Sequence, residues 1–222
     1  LGLSSCGIAE SGCSAIGEAL GHGKNSTLTA LSLNFNPFGN QGMRYLASGL
    51  RSNVTLEMLS LKFCGIEGTE GGACIASIIS NKANNLLELD LTGNKLRPRG
   101  LQILSRSLKF NRTLEILSLA ENEIDCDFEP AAYDIFCRSL TALKDALEQN
   151  KTLRSLDFSF NTISEEGALL LMPALDRSSL SANETLREAK FSTLLSKETF
   201  NTISRSGGGK SRGKKINENN LW

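Results

Sequence analysis

The sequence has little of what marks a nucleic-acid or membrane protein. Lys plus Arg total 24 and Asp plus Glu also total 24, so no net charge attracts a polyanion. No apolar run is long enough to cross a bilayer. The chain starts at Leu1 without a basic-then-apolar leader and in the middle of a pattern. We therefore expect a cytoplasmic protein with further sequence upstream, and neither a nucleic-acid nor a membrane partner.

Histidine and paired cysteines are also scarce, which argues against a metal site or a disulfide framework. The one histidine is His22, and no Cys-x-x-Cys pair occurs, so a Cys/His zinc set cannot be assembled. Cysteines spread through apolar segments are typical of reduced thiols in or near a core, and we expect no metal and no cofactor. The six cysteines are Cys6, Cys13, Cys64, Cys74, Cys126 and Cys137.

No catalytic arrangement of side chains is visible. His22 lies in the loop GHGKN, where an exposed loop residue is the better interpretation than a general base. The acidic run from Glu121 to Glu129 lacks the glycine and the terminal glutamate of an EF-hand loop, so a solvated loop is favoured over a calcium site. The glycine-rich stretches never form GxxxxGK[ST]. We predict that the protein is not an enzyme.

What the sequence does contain is one phrase repeated along most of its length. The phrase is L-x-x-L-x-L-x-x-(N/C)-x-apolar. It reads LTALSLNFNPF at 28–38, LEMLSLKFCGI at 56–66, LLELDLTGNKL at 86–96, LEILSLAENEI at 114–124 and LRSLDFSFNTI at 153–163. A shortened copy occupies 1–8, and a degraded copy, LREAKFSTLL, occupies 186–195.

Each phrase predicts a short parallel strand, a turn and a helix. The L-x-L leucines point inward from the strand, and the residue between them faces outward. The Asn or Cys sits where the chain leaves the strand, and an Asn amide there can satisfy buried backbone groups. Successive Asn/Cys positions are 28 to 30 residues apart, which leaves room for a helix, except for one interval of 39 between Asn122 and Asn161.

Asn-x-Thr occurs five times, always between a predicted helix and the next strand. Each is formally a glycosylation acceptor. Asn also tolerates the left-handed conformation that ends helices, and Thr favours the start of a strand, so we interpret these sites as turns. The five asparagines are Asn25, Asn53, Asn111, Asn150 and Asn183.

The sequence predicts two parts. Residues 1–204 form a solenoid of about seven repeats, with an insertion near 126–137 that extends into one long helix or two short ones. Residues 205–222, SGGGKSRGKKINENNLW after Arg205, are expected to be a flexible basic tail because they contain too little apolar surface to fold. The tail residues that could contact an acidic surface are Lys210, Arg212, Lys214 and Lys215.

The residues between and after the leucines should line one face of the sheet. They form a shallow row of small polar groups with scattered charges, and phenylalanines precede several Asn/Cys positions. Aromatic anchors of this kind supply much of the energy of protein–protein contacts. The predicted partner-binding residues are Phe35, Lys62, Phe63, Asp90, Glu121, Asp157 and Phe160.

The repeated phrase resembles the leucine-rich repeat, and the repeat length resembles the ribonuclease-inhibitor-like subclass. The resemblance implies an α/β fold: a right-handed horseshoe solenoid with a parallel concave sheet and helices on the convex side. It also implies a non-enzymatic scaffold that binds other proteins. The N-x-T-L junctions, the KETF helix and the Gly/Lys tail resemble leucine-rich-repeat proteins of cilia and flagella. That resemblance implies a place in a cytoskeletal or axonemal assembly.

Two alternatives stay open at this point. The Ran GTPase-activating protein shares this repeat subclass, and that family has a functional arginine in an early strand-to-helix loop and an acidic tail. Here the loops NPFGNQG and GIEGTEG contain no arginine and the tail is basic, which counts against a GTPase-activating regulator. Innate immune receptors end in similar repeats, so a fragment of an intracellular sensor is the second alternative.

Overall fold

The computed structural model describes residues 1–21, 23–125, 130–192 and 195–204. Helices and strands alternate along the chain. The helices are α1 (Glu10–Leu20), α2 (Gly39–Leu50), α3 (Gly68–Ile79), α4 (Arg97–Leu108), α5 (Pro130–Gln149), α6 (Glu165–Leu175) and α7 (Lys197–Ile203). The strands are β1 (Ala30–Ser32), β2 (Met58–Ser60), β3 (Glu88–Asp90), β4 (Ile116–Ser118), β5 (Ser155–Asp157) and β6 (Glu188–Lys190).

The six strands form one parallel sheet in sequence order, with each strand paired only to its neighbours. The register aligns the repeated phrase with itself, so that Leu31, Leu59 and Leu89 face one another across the sheet. This confirms the predicted right-handed leucine-rich-repeat solenoid, with a concave sheet and convex helices. The shortened first copy joins the sheet through a single parallel bridge between Gly2 and Ser32.

The core lies between the sheet and the helices, and the leucines of the phrase fill it. Leu117 and Leu119 of the fourth strand region are almost wholly buried, as are the apolar residues that follow the Asn/Cys position, such as Ile124. We call each strand–turn–helix repeat a rung. A three-residue strand is long enough because it carries the inward leucines with which a rung buries its face against the neighbouring rungs. The short L-x-L alternation of the phrase therefore corresponds to a whole strand.

The asparagine at the end of each strand ties neighbouring rungs together. The Asn94 amide nitrogen donates to the carbonyls of Leu61 and Leu91, each at 2.8 Å. Its oxygen accepts the backbone N–H groups of Cys64 at 3.1 Å and Ile66 at 3.0 Å. One buried side chain thus satisfies four backbone groups in two rungs, as the sequence predicted for this position.

Some helices approach one another through glycine. A Cβ atom on Gly49 of α2 would collide with the backbone carbonyl of Gly17 in α1. A Cβ on Gly72 of α3 would lie 2.7 Å from the carbonyl oxygen of Gly100 in α4. Because real Cβ atoms do not approach this closely, the missing side chains set the distance between the helices. These glycines have packing roles, and no phosphate cradle is needed to explain them.

The long interval contains one helix. The sequence left open one long helix or two short ones, and α5 runs unbroken for 20 residues. Its inner face, which includes Phe136, Leu140 and Leu147, is fully buried. Residues 126–129, including Asp127 and Glu129 of the predicted acidic loop, lie outside the described residues. So do His22, Cys126 and the tail with its four basic residues.

The five described cysteines fit the prediction with one exception. Cys13 and Cys64 are buried, and Cys74 and Cys137 are partly covered, as free thiols. Burial raises the pKa of the Cys64 thiol to about 12, so it stays protonated at neutral pH. Cys6 is exposed although it occupies the Asn/Cys position, because it belongs to the first rung and no described rung packs outside it.

Candidate protein-binding surface

The rim of the concave face is formed by the residue that precedes each Asn/Cys. Phe35, Phe63, Glu121 and Phe160 all have positive φ, between 53° and 57°. This left-handed conformation costs a bulky residue about 1–2 kcal/mol, and the bonds of the following Asn or Cys hold it in place. The turn directs each of these side chains outward, where it contributes little to the core.

Two of the rim phenylalanines form a flat apolar shelf. The rings of Phe35 and Phe63 stack with their centroids 5.0 Å apart and their planes 7° from parallel. The other face of Phe63 covers Gly93, because a Cβ at that glycine would collide with the Phe63 ring. Phe35 is nevertheless 53% exposed and Phe63 is 37% exposed. The shelf therefore presents a preformed aromatic surface to solvent.

Charged residues lie beside the shelf and are held in place by the sheet. The Lys62 ammonium lies 3.0 Å from an Asp90 carboxylate oxygen. The other Asp90 oxygen accepts from the backbone N–H and the hydroxyl of Thr92, at 3.0 and 2.7 Å. The Asn34 amide oxygen accepts the Lys62 backbone N–H at 2.9 Å. The structure thus brings Lys62 and Asp90 together with the shelf at the β1–β3 end.

The remaining predicted residues belong to the other end of the sheet. Asp157 forms an ion pair with Lys190 at 3.6 Å and accepts the Ser159 backbone N–H at 3.0 Å. Phe160 is 78% exposed and, among the described residues, stacks on no other aromatic ring. Glu121 lies on the rim between the two groups. The predicted residues thus form two clusters on one face of the sheet. Their role in binding stays a prediction.

The sequence reasoning missed one feature in the centre of this face. Glu88 is half-buried and lies in register between Met58 and Ile116 on the neighbouring strands. It forms no ion pair within the described chain. Burial raises the pKa of the Glu88 carboxyl, and the nearby Asp90 raises it further, against a smaller opposing effect of Lys62. The signal was available, since Glu88 lies two residues before Asp90 on a period-two strand.

Two residues of the acidic run bind other groups of the same chain. Glu123 pairs with the Arg97 guanidinium at 3.0 Å, and Asp125 accepts the Thr162 backbone N–H at 2.8 Å. Within the described ranges, no group of three potential ligands could hold a metal ion. No described helix is long and apolar enough to cross a membrane.

Comparisons with known proteins agree with the fold. A family model described as "Leucine Rich repeat" matches residues 24–47, 82–105 and 149–172. Human NACHT, LRR and PYD domains-containing protein 12 is 36% identical over 182 residues, which cover 79% of this chain and 15% of that protein. Mouse ribonuclease inhibitor is 35% identical over 179 residues, which cover 79% of this chain and 36% of that protein. The chain spans well under half the length of these curated relatives.

Solved structures show the same architecture. The tropomodulin C-terminal domain of Caenorhabditis elegans superposes with a TM-score of 0.53 at 16% identity, covering 72% of this chain and 88% of that one. A structure titled leiomodin-1 actin-binding site 2 superposes with a TM-score of 0.55 at 17% identity, covering 72% of this chain and 83% of that one. At these identities the likeness shows the fold alone.

Proposed function

Because this chain is a leucine-rich-repeat protein of the ribonuclease-inhibitor-like subclass, we propose that it is a non-enzymatic scaffold that binds another protein on its concave face. The observation that carries the proposal is the stacked Phe35–Phe63 shelf. A monomeric protein gains little by exposing two stacked rings, whereas a partner that covers them buries a large apolar area.

The surroundings of the shelf favour specific binding. Lys62 and Asp90 are fixed beside the rings by backbone hydrogen bonds and by their own ion pair. Preorganised side chains lose little conformational entropy on binding. Glu88, half-buried and without a counter-ion in the described chain, offers a site for a partner's cation between Met58 and Ile116. A partner must therefore match three features at once: the apolar rings, the Lys62–Asp90 ion pair and the unpaired Glu88 carboxylate.

We further propose that the partner belongs to a cytoskeletal or axonemal assembly. The support is the resemblance of the junctions, the KETF helix and the Gly/Lys tail to ciliary leucine-rich-repeat proteins. Actin is the first purified protein to test, because one neighbour of similar fold is named for an actin-binding site. The basic residues of the tail are proposed as a secondary contact with an acidic surface.

A second candidate function is favoured by one comparison. The 36% identity to a NACHT, LRR and PYD domains-containing protein is as high as that to ribonuclease inhibitor. This identity favours a recognition segment of a larger multidomain protein. In that case the concave face would still bind a protein ligand, and the cytoskeletal assignment would be lost.

The test is capture of partners from cytosolic and cytoskeletal extracts, followed by binding measurements with each purified candidate. Four baits are compared: the intact chain, a chain ending at Arg205, Phe35→Ala/Phe63→Ala, and Leu169→Ala as a matched control. Leu169 is an exposed apolar residue of α6, so its removal changes the surface without touching the shelf. Circular dichroism checks that all four are folded.

The proposal predicts a cytoskeletal or axonemal partner that the phenylalanine variant loses and the Leu169 variant keeps. Equal binding by both variants would contradict the concave-face assignment. A small GTPase whose nucleotide hydrolysis accelerates in the presence of the intact chain would replace the scaffold proposal by the GTPase-activating alternative. Specific binding to a non-cytoskeletal protein through the shelf would favour the multidomain recognition segment.

A further inference from the structure

The solenoid has a second lateral side, where each helix ends and the chain returns to the next strand. Six helix-to-strand turns connect α1–α6 to β1–β6. Each turn carries a cation within a few residues of its helix end. These turn cations are Lys24, Arg51, Lys82, Lys109, Lys151 and Arg177. The row runs along the whole solenoid although the chain as a whole carries no net charge.

The turn cations have no carboxylate partner in the described chain, and two further unpaired cations, Arg112 and Arg187, lie in the same turns. Within the described residues, none of the six takes part in an ion pair, whereas Lys62, Arg97 and Lys190 on other surfaces do. Two side-chain contacts of the row, both in the described part of the chain, are weak. The Lys109 ammonium lies 5.8 Å from the centre of the Phe110 ring, and the Lys151 ammonium donates to the Glu148 carbonyl at 3.2 Å.

Helix dipoles account for only part of this row. A cation at a helix C-terminus is stabilising, but the effect fades beyond the last turn, and Lys24 and Lys82 lie past it. Dipole compensation also gives no reason for exposed apolar residues. Val54 is 44% exposed, Leu87 is 40% exposed, Phe110 is 70% exposed and Leu180 is fully exposed, each in a different turn.

A second set of buried asparagines holds the turns rigid. The Asn53 amide nitrogen donates to the Leu20 carbonyl at 3.0 Å, in the preceding turn. Asn111 donates to the Ile79 carbonyl at 2.9 Å, and Asn150 donates to the Leu108 carbonyl at 2.9 Å. The backbone of the turns is therefore preorganised, and a ligand has to order only the long side chains of the cations on binding.

We propose that this helix-to-strand side is a second binding surface, and that it takes an extended acidic polypeptide segment with apolar residues at intervals. An extended chain advances about 7 Å for every two residues. That step lies between the spacing of neighbouring strands, about 4.8 Å, and that of packed helices, about 8–10 Å. Alternate acidic side chains can thus meet successive turns, and occasional apolar side chains can contact Val54 or Phe110.

A polypeptide fits this side better than a nucleic acid does. Glu57 and Glu184 are exposed in the same turns. A polyphosphate backbone has a charge on every unit and would be repelled there, whereas a polypeptide can present a neutral residue. This surface is separate from the shelf, so its failure would leave the concave-face proposal standing.

The test uses the full chain and a fluorescein-labelled peptide in which glutamate alternates with neutral residues and two tryptophans are included. Binding is followed by fluorescence anisotropy at low and at physiological salt. Arg51→Gln/Lys82→Gln/Lys109→Gln removes part of the row. Arg44→Gln/Lys95→Gln/Lys190→Gln changes the net charge equally on other surfaces. Phe110→Ser is paired with Leu169→Ser in the same way, and thermal unfolding checks that every variant is folded.

We expect the row variant to weaken binding about tenfold and its control less than about twofold. Phe110→Ser should weaken binding more than Leu169→Ser. The proposal is overturned if the peptide does not bind the intact chain at low salt, or if the two charge variants lose binding equally. It is also overturned if an oligonucleotide of similar length, or vesicles of phosphatidylserine and phosphatidylcholine, binds more tightly than the peptide.

Discussion

The two lateral sides of the solenoid use the same buried device beneath different surfaces. On the strand-to-helix side, Asn94 bridges two rungs through four backbone groups. On the helix-to-strand side, Asn111 plays the corresponding part. Above the first lie stacked phenylalanines and paired charges, and above the second lies a row of unpaired cations. We call each of these two rows of buried asparagines a ladder. Each ladder fixes the backbone of the repeats, and the exposed residues above it can differ without changing the fold.

The largest effect should come from the ladders themselves. We expect Asn94→Ala to lower the free energy of unfolding by about 4 kcal/mol, because it leaves buried N–H and C=O groups of two rungs unpaired. Asn111→Ala should cost about 3 kcal/mol, since its amide serves three backbone groups, of Ile79, Thr113 and Leu114. Urea unfolding measures both. A cost below about 1 kcal/mol on either side would mean that the two ladders are not equivalent.

The next largest effect is expected at Gly93, which lies beneath the Phe63 ring of the shelf. Gly93→Ala should cost about 1–2 kcal/mol, because Gly93 has a φ of 70° and its Cβ would collide with the Phe63 ring. The displaced ring should also weaken partner binding as strongly as Phe63→Ala does. Gly23→Ala is the matched control: its φ is 73° and no atom lies near its Cβ position. It should show the backbone cost alone, and a loss of partner binding there would contradict the role of the shelf.

A smaller effect of opposite sign is expected at the centre of the concave face. The pKa of Glu88 is raised in the folded state, so folding favours its protonated form and stability falls as pH rises above the unfolded pKa. Glu88→Gln should therefore stabilise the protein at neutral pH, by less than about 1 kcal/mol, and the gain should vanish in acid. Unfolding curves at several pH values test this, and a loss of stability at neutral pH would contradict it.

The smallest effect should be on the helix-to-strand side. Lys24→Gln and Lys82→Gln should change the free energy of unfolding by less than about 0.5 kcal/mol, because both side chains are exposed and unpaired. Adding salt should change stability little in either variant. A larger loss, abolished by salt, would mean that these cations stabilise the fold and would weaken the case for a binding surface.

The sequence predicted what recurs and missed what depends on neighbouring rungs. The leucines and Asn94 recur at fixed positions, so a single rung defines their roles. Stacking of Phe35 on Phe63 requires the register of two rungs and a glycine at position 93 in a third. The turn cations lie at unequal distances from their helix ends, so they form no regular sequence pattern. The net charge of zero also gives no sign of them. The α5 helix was predicted as an insertion, but periodicity alone did not separate one helix from two.

The most direct test of the shelf is hydrogen–deuterium exchange of the chain alone and bound to the partner captured through it. The account predicts slower exchange in the segments around Phe35, Phe63 and β3, with the helix-to-strand turns unchanged. Slower exchange confined to the turns around Arg51, Lys82 and Lys109, with the shelf unchanged, would contradict it.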